Sequence, residues 1–134
     1  MISLSIETDT RVALLDVTDL VANALGTSGL REGAALVYCP HTTAGLTINE
    51  HADPTVRRDI AMALERLVPD DLPFAHLEGN SDAHVKASLV GASVLVPVEG
   101  GRPALGTWQG IFFCEFDGPR RRRLLVQPLP APRP

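Results

Sequence analysis

Strand patterns occupy both ends of this chain, and the clearest helical patterns are grouped between them. Ile2, Leu4 and Ile6 alternate with polar residues at the start, and further strand patterns run from residue 94 to residue 127. A doubly wound parallel sheet would instead alternate strands and helices regularly. The chain is therefore predicted to be an α+β domain built in layers, with a mostly antiparallel sheet.

The length and composition indicate one folded domain. A chain of 134 residues can enclose one packed core but is too short for two independent ones. Apolar residues make up 45% of the chain and charged residues 21%, which is typical of a folded protein rather than a disordered one. The domain is predicted to span residues 1–127, and the Pro-rich tail at 128–134 is expected to be extended or disordered.

Charge and hydropathy disfavour two classes of partner. The net charge is -4, so the general attraction that duplex DNA or an anionic membrane requires is missing, and neither partner is expected. The uncharged stretch at 87–98 is too short to span a bilayer. Because the first residues have no basic region of a signal peptide, a cytoplasmic location is expected. Cys39 and Cys114 lie in apolar runs and are interpreted as buried thiols.

The strand patterns predict how the two ends of the chain are arranged. The first two strands, at 2–6 and 12–17, have the pattern of a hairpin, while 34–39 and 46–49 are predicted to be single strands. The second half is expected to be mainly a β-meander. Its strands are predicted at 94–98, 104–105, 109–116 and 124–127.

Three helices are predicted from their capping signals. Thr18 or Asp19 is expected to cap a short helix, and Ser81 a helix that ends near Gly91. Between them, Asp53 and Pro54 give the clearest helix start in the chain, and Pro69 ends that helix. The apolar stripe of this long helix is predicted at Val56, Ile60, Ala63, Leu64 and Leu67.

The first group of candidate functional residues follows the strand at 46–49. Glu50 lies on the apolar face of that strand, so its carboxylate is expected to be either partnered or functional. Glu50 and Asp53 could simply satisfy backbone N–H groups at the strand-to-helix corner. Alternatively, the helix start with Arg57 and Arg58 would suit a phosphate or carboxylate ligand, although Asp53 would weaken such a site.

The second group surrounds the helix predicted to begin after Ser81. Asp82 and Lys86 have i,i+4 spacing and could form a surface ion pair, but Lys86 is the only lysine among 12 basic residues. His76 and His84 could converge with His41 on a metal ion. No tight metal-binding spacing such as H-E-x-x-H or C-x-x-C is present, which weakens that hypothesis.

The third group lies among glycines near the end of the chain. Arg102 and Gln109 can donate hydrogen bonds to an oxyanion. Trp108 could lie in the core, at a subunit interface or against a ligand. The run from Arg120 to Arg123 is interpreted as a solvated turn, with anion contacts at an oligomer interface as the alternative. No G-x-S-x-G, Walker A or G-x-G-x-x-G motif occurs, so triad hydrolase, P-loop NTPase and Rossmann dehydrogenase mechanisms have no support.

Three stretches in order resemble the YjbQ-like family. They are HTTAGLTINEHADPTVRRD (41–59), HLEGNSDAHVKASLVG (76–91) and GRPALGTWQGIFFCEFDGPRRRR (101–123), and they cover nearly half of the chain. The sequence departs from the family pattern at His51, where Asn is usual, and at Gly45, where Ala or Ser is usual. The resemblance implies a three-layer β/β/α domain that assembles as a homotrimer with polar clefts between subunits.

Members of this family are described as secondary thiamine-phosphate synthases, so the resemblance implies a phosphorylated small-molecule substrate. The implied reaction joins a pyrimidine methyl diphosphate to a thiazole phosphate and releases pyrophosphate. Departure of the diphosphate builds negative charge that cations or a divalent metal, Mg²⁺ or Zn²⁺, would stabilise. Two other functions are kept as alternatives: a metal-dependent phosphohydrolase and a trimeric binding protein without catalysis.

The implied reaction suggests a role for each candidate residue. The three histidines would carry protons or bind metal, and Arg57, Lys86 and Arg102 would contact the diphosphate. The expected catalytic residues are His41, His76, His84, Glu50 and Lys86. The expected substrate-binding residues are Thr43, Asn49, Arg57, Asn80, Arg102, Trp108 and Gln109. The expected metal ligands are His41, His76, His84, Glu50 and Asp82.

Overall fold

The computed structural model describes residues 1–133 and places them in eight strands and three helices. All strand pairs are antiparallel, which confirms the predicted α+β class. In chain order the elements are β1 (Ile2–Glu7), β2 (Ala13–Asp16), α1 (Thr18–Ser28), β3 (Gly33–Tyr38), β4 (Ala44–Glu50), α2 (Pro54–Leu67), α3 (Ser81–Val90), β5 (Ser93–Glu99), β6 (Arg102–Pro103), β7 (Gln109–Glu115) and β8 (Arg121–Pro130).

Two sheets and a pair of helices form the layers. The five-stranded sheet has the order β1-β8-β3-β5-β6, and the three-stranded sheet has the order β2-β7-β4. One apolar core lies between the sheets and includes α1, while a second lies between the three-stranded sheet and helices α2 and α3. Strand β7 serves both cores, because Ile111 and Phe113 face the first and Phe112 and Cys114 the second. This order of layers agrees with the expected β/β/α architecture.

The helix boundaries show which sequence signals were reliable. Helix α2 begins as predicted, with the Asp53 carboxylate accepting a hydrogen bond from the Thr55 amide at 2.9 Å. Helix α1 has no side-chain cap at Val17; the Asp16 carboxylate accepts from the Thr18 amide at 3.0 Å instead. In helix α3, Ser81 is the first helical residue rather than the cap, and the side chain of the N-cap residue Asn80 makes no capping hydrogen bond. No helix in the part of the chain that the structure describes is long and apolar enough to cross a membrane.

Two predicted strand arrangements are wrong. Strands β1 and β2 do not form a hairpin: β1 pairs with β8 in one sheet, and β2 pairs with β7 in the other. The second half is not a meander, because β7 belongs to the three-stranded sheet and β8 lies between β1 and β3 in the other sheet. The strand expected at 104–105 is instead the short β6 at Arg102–Pro103. Local alternation identifies strands but carries no information about their partners.

Two further segments differ from their predicted descriptions. Strand β8 continues through Pro130, and Pro128 lies opposite Ala35, so the sheet extends past the domain boundary predicted at 127. The last residue of the predicted 128–134 tail lies outside the described residues. In the predicted apolar stripe of α2, Ala63 and Leu67 are exposed, because only one side of this helix packs on the second core.

Both cysteines are placed as the sequence predicted. Cys39 belongs to the first core and Cys114 to the second, and both are free thiols that are fully buried. Burial raises the pKa of the Cys114 thiol to about 12, so this side chain stays protonated and acts as a small apolar group.

Candidate active site

A polar cleft at one end of the three-stranded sheet brings the three predicted histidines together. The residues before β4 and those after β7 meet here, because the start of β4 pairs with the end of β7. The N-terminal part of α3 and the start of β8 complete the walls. The cleft has a volume of about 450 Å³ and is lined by Pro40, His41, Thr42, Thr43, His76, Glu78, Asn80, His84, Asp117, Arg120 and Arg122. We call it the histidine cleft.

Two of the histidines lie directly against each other. The ring of His76, from the loop before α3, meets the ring of His84 edge to face, with centroids 5.6 Å apart. Both rings are partly exposed, and the nearest acid to His76 is Glu78, whose carboxylate oxygen is 3.9 Å from Nε2. Neither ring is held by a hydrogen bond within residues 1–133, so both remain available to a ligand.

His41 is held more tightly than the other two. Its Nε2 accepts a hydrogen bond from the Arg123 backbone amide at 2.8 Å, so in the neutral ring the proton must reside on Nδ1. Burial lowers the pKa of His41, and the nearby positive charge of Arg122 lowers it further. His41 is therefore neutral at pH 7, with Nδ1–H as its remaining hydrogen-bonding group.

The floor of the cleft is a buried ion pair that the sequence analysis missed. Arg122 is 5% exposed, and its Nε donates to Glu115 Oε1 at 2.9 Å while Nη2 donates to Oε2. Nη2 also donates to the Thr43 hydroxyl at 2.8 Å, and the Thr8 hydroxyl donates to Glu115 at 2.7 Å. Burial alone would raise the pKa of Glu115, but the hydrogen bonds from Arg122 and Thr8 outweigh it and hold the pKa below its usual value.

A second acid, Asp117, anchors one side of the cleft. Its carboxylate accepts hydrogen bonds from Asn80 Nδ2 and from Arg120 Nη2, each at 2.9 Å. Asn80 is thereby fixed at the entrance to α3, and its buried Oδ1 has no hydrogen-bond partner within the described residues. The predicted substrate-binding residues Thr43 and Asn80 thus both line this cleft, the first on its floor and the second on its wall.

Lys86 and Asp82 are not part of the cleft. Both side chains are 1% exposed, and Lys86 Nζ donates to Glu65 at 2.5 Å and to Asp82 at 3.2 Å. Arg11 Nη2 lies 3.0 Å from both carboxylate oxygens of Asp82. The predicted i,i+4 pair is confirmed, but it is buried rather than on the surface. With every charged group partnered, the expected catalytic role of Lys86 and the expected metal-binding role of Asp82 have no geometric support.

Burial and charge oppose each other at Asp82. Burial alone would raise its pKa, but the hydrogen bond from Lys86 and the charge of Arg11 outweigh it and lower the pKa below the usual value. Asp82 is therefore a carboxylate in the folded protein. We call these four residues the buried charge network: Arg11, Glu65, Asp82 and Lys86.

Glu50 and Asn49 lie at the far end of β4 from the histidine cleft. Strand β4 has seven residues, so its ends are about 20 Å apart at 3.3 Å per residue. The Glu50 carboxylate accepts from the Asp53 amide at 2.8 Å, and the Asn49 side chain accepts from the Glu50 amide at 2.7 Å. Glu50 thus satisfies a backbone N–H at the strand-to-helix corner, as the simpler interpretation expected, and it does not join the three histidines.

Other predicted residues gather at this same far end. Gln109 lies opposite Glu50 in the sheet, and Trp108 is 63% exposed. Arg57 donates to the His51 carbonyl at 3.0 Å, and its guanidinium lies 4.9 Å from the centre of the Phe112 ring. Gln109 and Trp108 are therefore separated from the cleft by about the length of the sheet, whereas the Arg57 guanidinium lies against Phe112, which pairs with Thr47 in the middle of β4.

His51, the departure from the family pattern, forms a contact of its own. Its Nδ1 lies 3.0 Å from the Asp16 carboxylate, so the end of β4 is tied to the start of α1. Burial would raise the pKa of Asp16, but hydrogen bonds from Thr18 and His51 outweigh it and lower the pKa. Only a glycine fits at Gly110, because a Cβ there would lie 2.6 Å from the His51 ring.

Arg102 lies in a different cavity. A groove of about 820 Å³ runs between α1 and β6, and Arg102 is the only predicted site residue among those that line it. This groove is larger than the histidine cleft but holds no histidine among its lining residues. The chemistry therefore favours the smaller, more polar cleft as the candidate active site.

The predicted metal ligands do not assemble into a metal centre. Within residues 1–133 no group of three or more His, Cys, Asp or Glu side chains is arranged to hold a metal ion. His41 Nε2 is occupied by a backbone donor, Asp82 is held by Arg11 and Lys86, and Glu50 is at the far end of β4. As arranged, the expected five ligands do not fit one ion.

One sequence signal could have revealed Arg122. In β8, Arg122 has the same parity as Leu124 and Val126, which are both fully buried. An arginine on the core face of a strand must be partnered, and Glu115 similarly ends an apolar run. The run of four arginines is therefore not a solvated turn throughout, because Arg121 and Arg123 are exposed while Arg122 between them faces the interior.

The comparisons with known proteins agree on one family. The family model for the UPF0047 protein YjbQ-like family matches residues 2–131. UPF0047 protein YugU of Bacillus subtilis is 51% identical over 126 residues, covering 93% of this chain and 96% of that protein. A UPF0047 protein of Methanocaldococcus jannaschii is 54% identical over 122 residues, covering 91% and 88%.

Solved structures give the same result for the fold. An uncharacterized YjbQ/UPF0047-family protein from Clostridium acetobutylicum has a TM-score of 0.92 at 50% identity, covering 95% of this chain and 98% of that chain. A conserved hypothetical protein from Thermus thermophilus has a TM-score of 0.90 at 42% identity, covering 96% and 100%. Because the family model matches nearly the whole length of this chain, the chain belongs to the UPF0047 YjbQ-like family.

Proposed function

We propose that this protein is an enzyme that acts on a small phosphorylated substrate in the histidine cleft. One observation carries the proposal: three histidines from three separate segments share a cleft with two arginines. Imidazoles transfer protons near neutral pH, and guanidinium groups bind phosphoryl oxygens. The far end of the three-stranded sheet offers no comparable concentration of proton carriers.

The reaction we propose is the one implied by the family resemblance. A pyrimidine methyl diphosphate is coupled to a thiazole phosphate, giving thiamine phosphate and pyrophosphate. His41 supports the substrate-binding part of this proposal, since its neutral ring, held at Nε2 by the Arg123 amide, leaves Nδ1–H to donate a hydrogen bond. His76 and His84 would be the proton carriers. Donors on Arg120 and Arg122 would stabilise the charge that develops on the departing diphosphate.

A divalent metal remains part of the expectation, although the present arrangement does not favour it. Mg²⁺ or Zn²⁺ would supply positive charge to the diphosphate, but no step of the proposal depends on it. Metal analysis of protein purified without added metal tests the question directly. A second candidate function, a metal-dependent phosphohydrolase, is favoured only by the close approach of His76 and His84.

One assay separates the candidate functions. Purified protein is incubated with the pyrimidine diphosphate and the thiazole phosphate, with and without Mg²⁺, and thiamine phosphate, pyrophosphate and free phosphate are measured. Coupling that is abolished by His84→Ala supports the transferase. Phosphate release without coupling supports the phosphohydrolase, and binding without turnover supports a binding protein.

We also propose that the chain assembles as a homotrimer. The face of the five-stranded sheet that points away from the first core carries apolar side chains, among them Leu95 at 63% and Tyr38 at 43% exposure. Leu95 lies beside Leu36, which faces the same side. Light scattering of Leu95→Lys should show a smaller species than the wild type. Leu77→Lys is the matched control, because Leu77 is 98% exposed on the loop before α3.

A further inference from the structure

We propose that Arg122 is the oxyanion-binding residue of the histidine cleft, and that its Nη1 donates to a phosphoryl group. The kind of ligand follows from the proposed function, which places a phosphorylated substrate in this cleft. Arg122 is almost fully buried, yet it is one of the residues that line the cleft. Ligand binding by Arg122 can be measured without turnover, so this role is tested separately from the proposed reaction.

The hydrogen bonds of Arg122 leave one side of the guanidinium free. Nε and Nη2 form one edge of the group, and both donate to the Glu115 carboxylate. The second hydrogen of Nη2 goes to the Thr43 hydroxyl. Within residues 1–133 Nη1 makes no hydrogen bond, so both of its N–H groups remain to be satisfied by water or a ligand.

Arg120 repeats this arrangement on the neighbouring wall. Its Nε donates to the Asp117 carbonyl at 2.8 Å and its Nη2 donates to the Asp117 carboxylate at 2.9 Å. As at Arg122, the acid engages one edge of the guanidinium, and within the described chain Nη1 has no partner. Each arginine is thus held in position by its own acid while one terminal nitrogen stays available, which is the preorganisation that anion binding requires.

The donors favour a phosphoryl group over a carboxylate. The guanidinium of Arg122 on the floor and that of Arg120 on a wall, with the Nδ1–H of His41, offer donors from several directions. A phosphoryl group has terminal oxygens pointing in three directions, whereas a carboxylate has two oxygens in one plane. Because Glu115 and Asp117 neutralise the two arginines, fixed N–H donors rather than net charge would hold the anion.

Arg122→Lys tests the role of Nη1. Lysine keeps the charge that Glu115 needs but replaces the fork by a single ammonium group, which leaves no free N–H edge for a ligand. Arg121→Lys is the matched control, because Arg121 is the adjacent residue on the opposite face of β8 and its side chain is 77% exposed. Both variants are titrated with inorganic pyrophosphate and, separately, with acetate by calorimetry, and folding is checked by thermal unfolding.

We expect Arg122→Lys to weaken pyrophosphate binding at least about tenfold and Arg121→Lys to change it less than about twofold. Acetate should bind at least about tenfold more weakly than pyrophosphate. Wild-type protein that does not bind pyrophosphate, or an Arg122→Lys variant with unchanged affinity, would overturn the assignment of Arg122. Equal binding of acetate would overturn the phosphoryl specificity.

A measurement on the unsubstituted protein covers the case in which Arg122→Lys does not fold. Pyrophosphate should shift the guanidinium ¹⁵N resonances of Arg122 but not those of Arg121, and unchanged Arg122 resonances would contradict the proposal. If Arg122→Lys loses pyrophosphate binding and the wild type shows no turnover in the coupling assay, the role of Arg122 is supported and the proposed enzyme is refuted. If the wild type turns over and Arg122→Lys binds pyrophosphate with unchanged affinity, the proposed enzyme is supported and the role of Arg122 is refuted.

Discussion

Helix α3 separates two groups of ionisable side chains that have opposite environments. Asp82 and Lys86 face the protein interior, where each charged group has at least one ion-pair partner. His84 lies about 160° away from each around the helix, since two residues rotate by about 200°. It faces the histidine cleft, and its ring makes no hydrogen bond within residues 1–133. The two sides of this ten-residue helix thus differ in role: Asp82 and Lys86 hold the helix against the protein interior, and His84 faces the candidate ligand site.

This difference predicts that substitutions on the two sides have opposite consequences. Removing a member of the buried charge network leaves an uncompensated charge in the interior, so stability should fall steeply. Removing His76 or His84 breaks no hydrogen bond within residues 1–133, so ligand binding or turnover should change while stability does not.

The largest effect is expected for Lys86→Met. The substitution leaves Glu65 without its partner and removes one of the two cations at Asp82, so the free energy of unfolding should fall by about 4 kcal/mol. Urea unfolding measures the change. Arg121→Met is the control, because its ion pair with Glu7 is exposed and its loss should cost less than about 0.5 kcal/mol. Equal effects of the two substitutions would contradict the role of the network.

Asp82→Asn should cost about 3 kcal/mol at pH 7, and this cost should depend on pH. The folded state lowers the pKa of Asp82 from 3.8, so its stabilisation is complete well above pH 3.8 and is lost as the pH falls through the lowered folded value. The difference between wild type and variant should therefore shrink in acid. Urea unfolding at about pH 7, 5 and 3 tests this; a constant difference would show that the charge of Asp82 is irrelevant.

A smaller change in stability with pH is expected at His41, which is a base rather than an acid. The folded state lowers its pKa from 6.5, so as the pH falls through 6.5 the unfolded chain binds the proton first and stability declines. His41→Gln does not titrate, and it should lose less stability than the wild type between pH 7 and pH 5. Proton NMR of the ring should also place the pKa of His41 below 6.5. A higher value would disprove the proposed neutral state.

The smallest change in stability is expected for His84→Ala. Its ring lines the cleft and makes no hydrogen bond to the described part of the chain, so the free energy of unfolding should change by less than about 0.5 kcal/mol. The same substitution should abolish turnover in the coupling assay. A loss of stability comparable to that of Lys86→Met would mean that His84 has a structural role instead.

The sequence predicted local elements better than their partners. The α2 start at Asp53 and Pro54 was correct, because a capping carboxylate followed by proline acts within one turn. The pairing of β1 with β8 was not foreseen, since the contact between Ile2 and Val126 joins opposite ends of the chain. Which strand fills a gap in a sheet is decided by the packing of the whole domain.

The candidate site shows the same limit. His41, His76 and His84 were expected to share a pocket, and they line one cleft. Lys86 was expected there because it is the only lysine, but rarity in a sequence does not determine which side of a helix is buried. Strand parity indicates that Arg122 is buried, but it does not identify the partner, because Glu115 lies on another strand.

The position of β8 has a consequence for synthesis of the protein. Strand β8 lies between β1 and β3. During translation, the edges of β1 and β3 that pair with β8 therefore stay unpaired until residue 130 has left the ribosome. Nascent chains that end before Arg121 should therefore be sensitive to proteolysis and prone to self-association, and emergence of β8 should be the event that completes the five-stranded sheet.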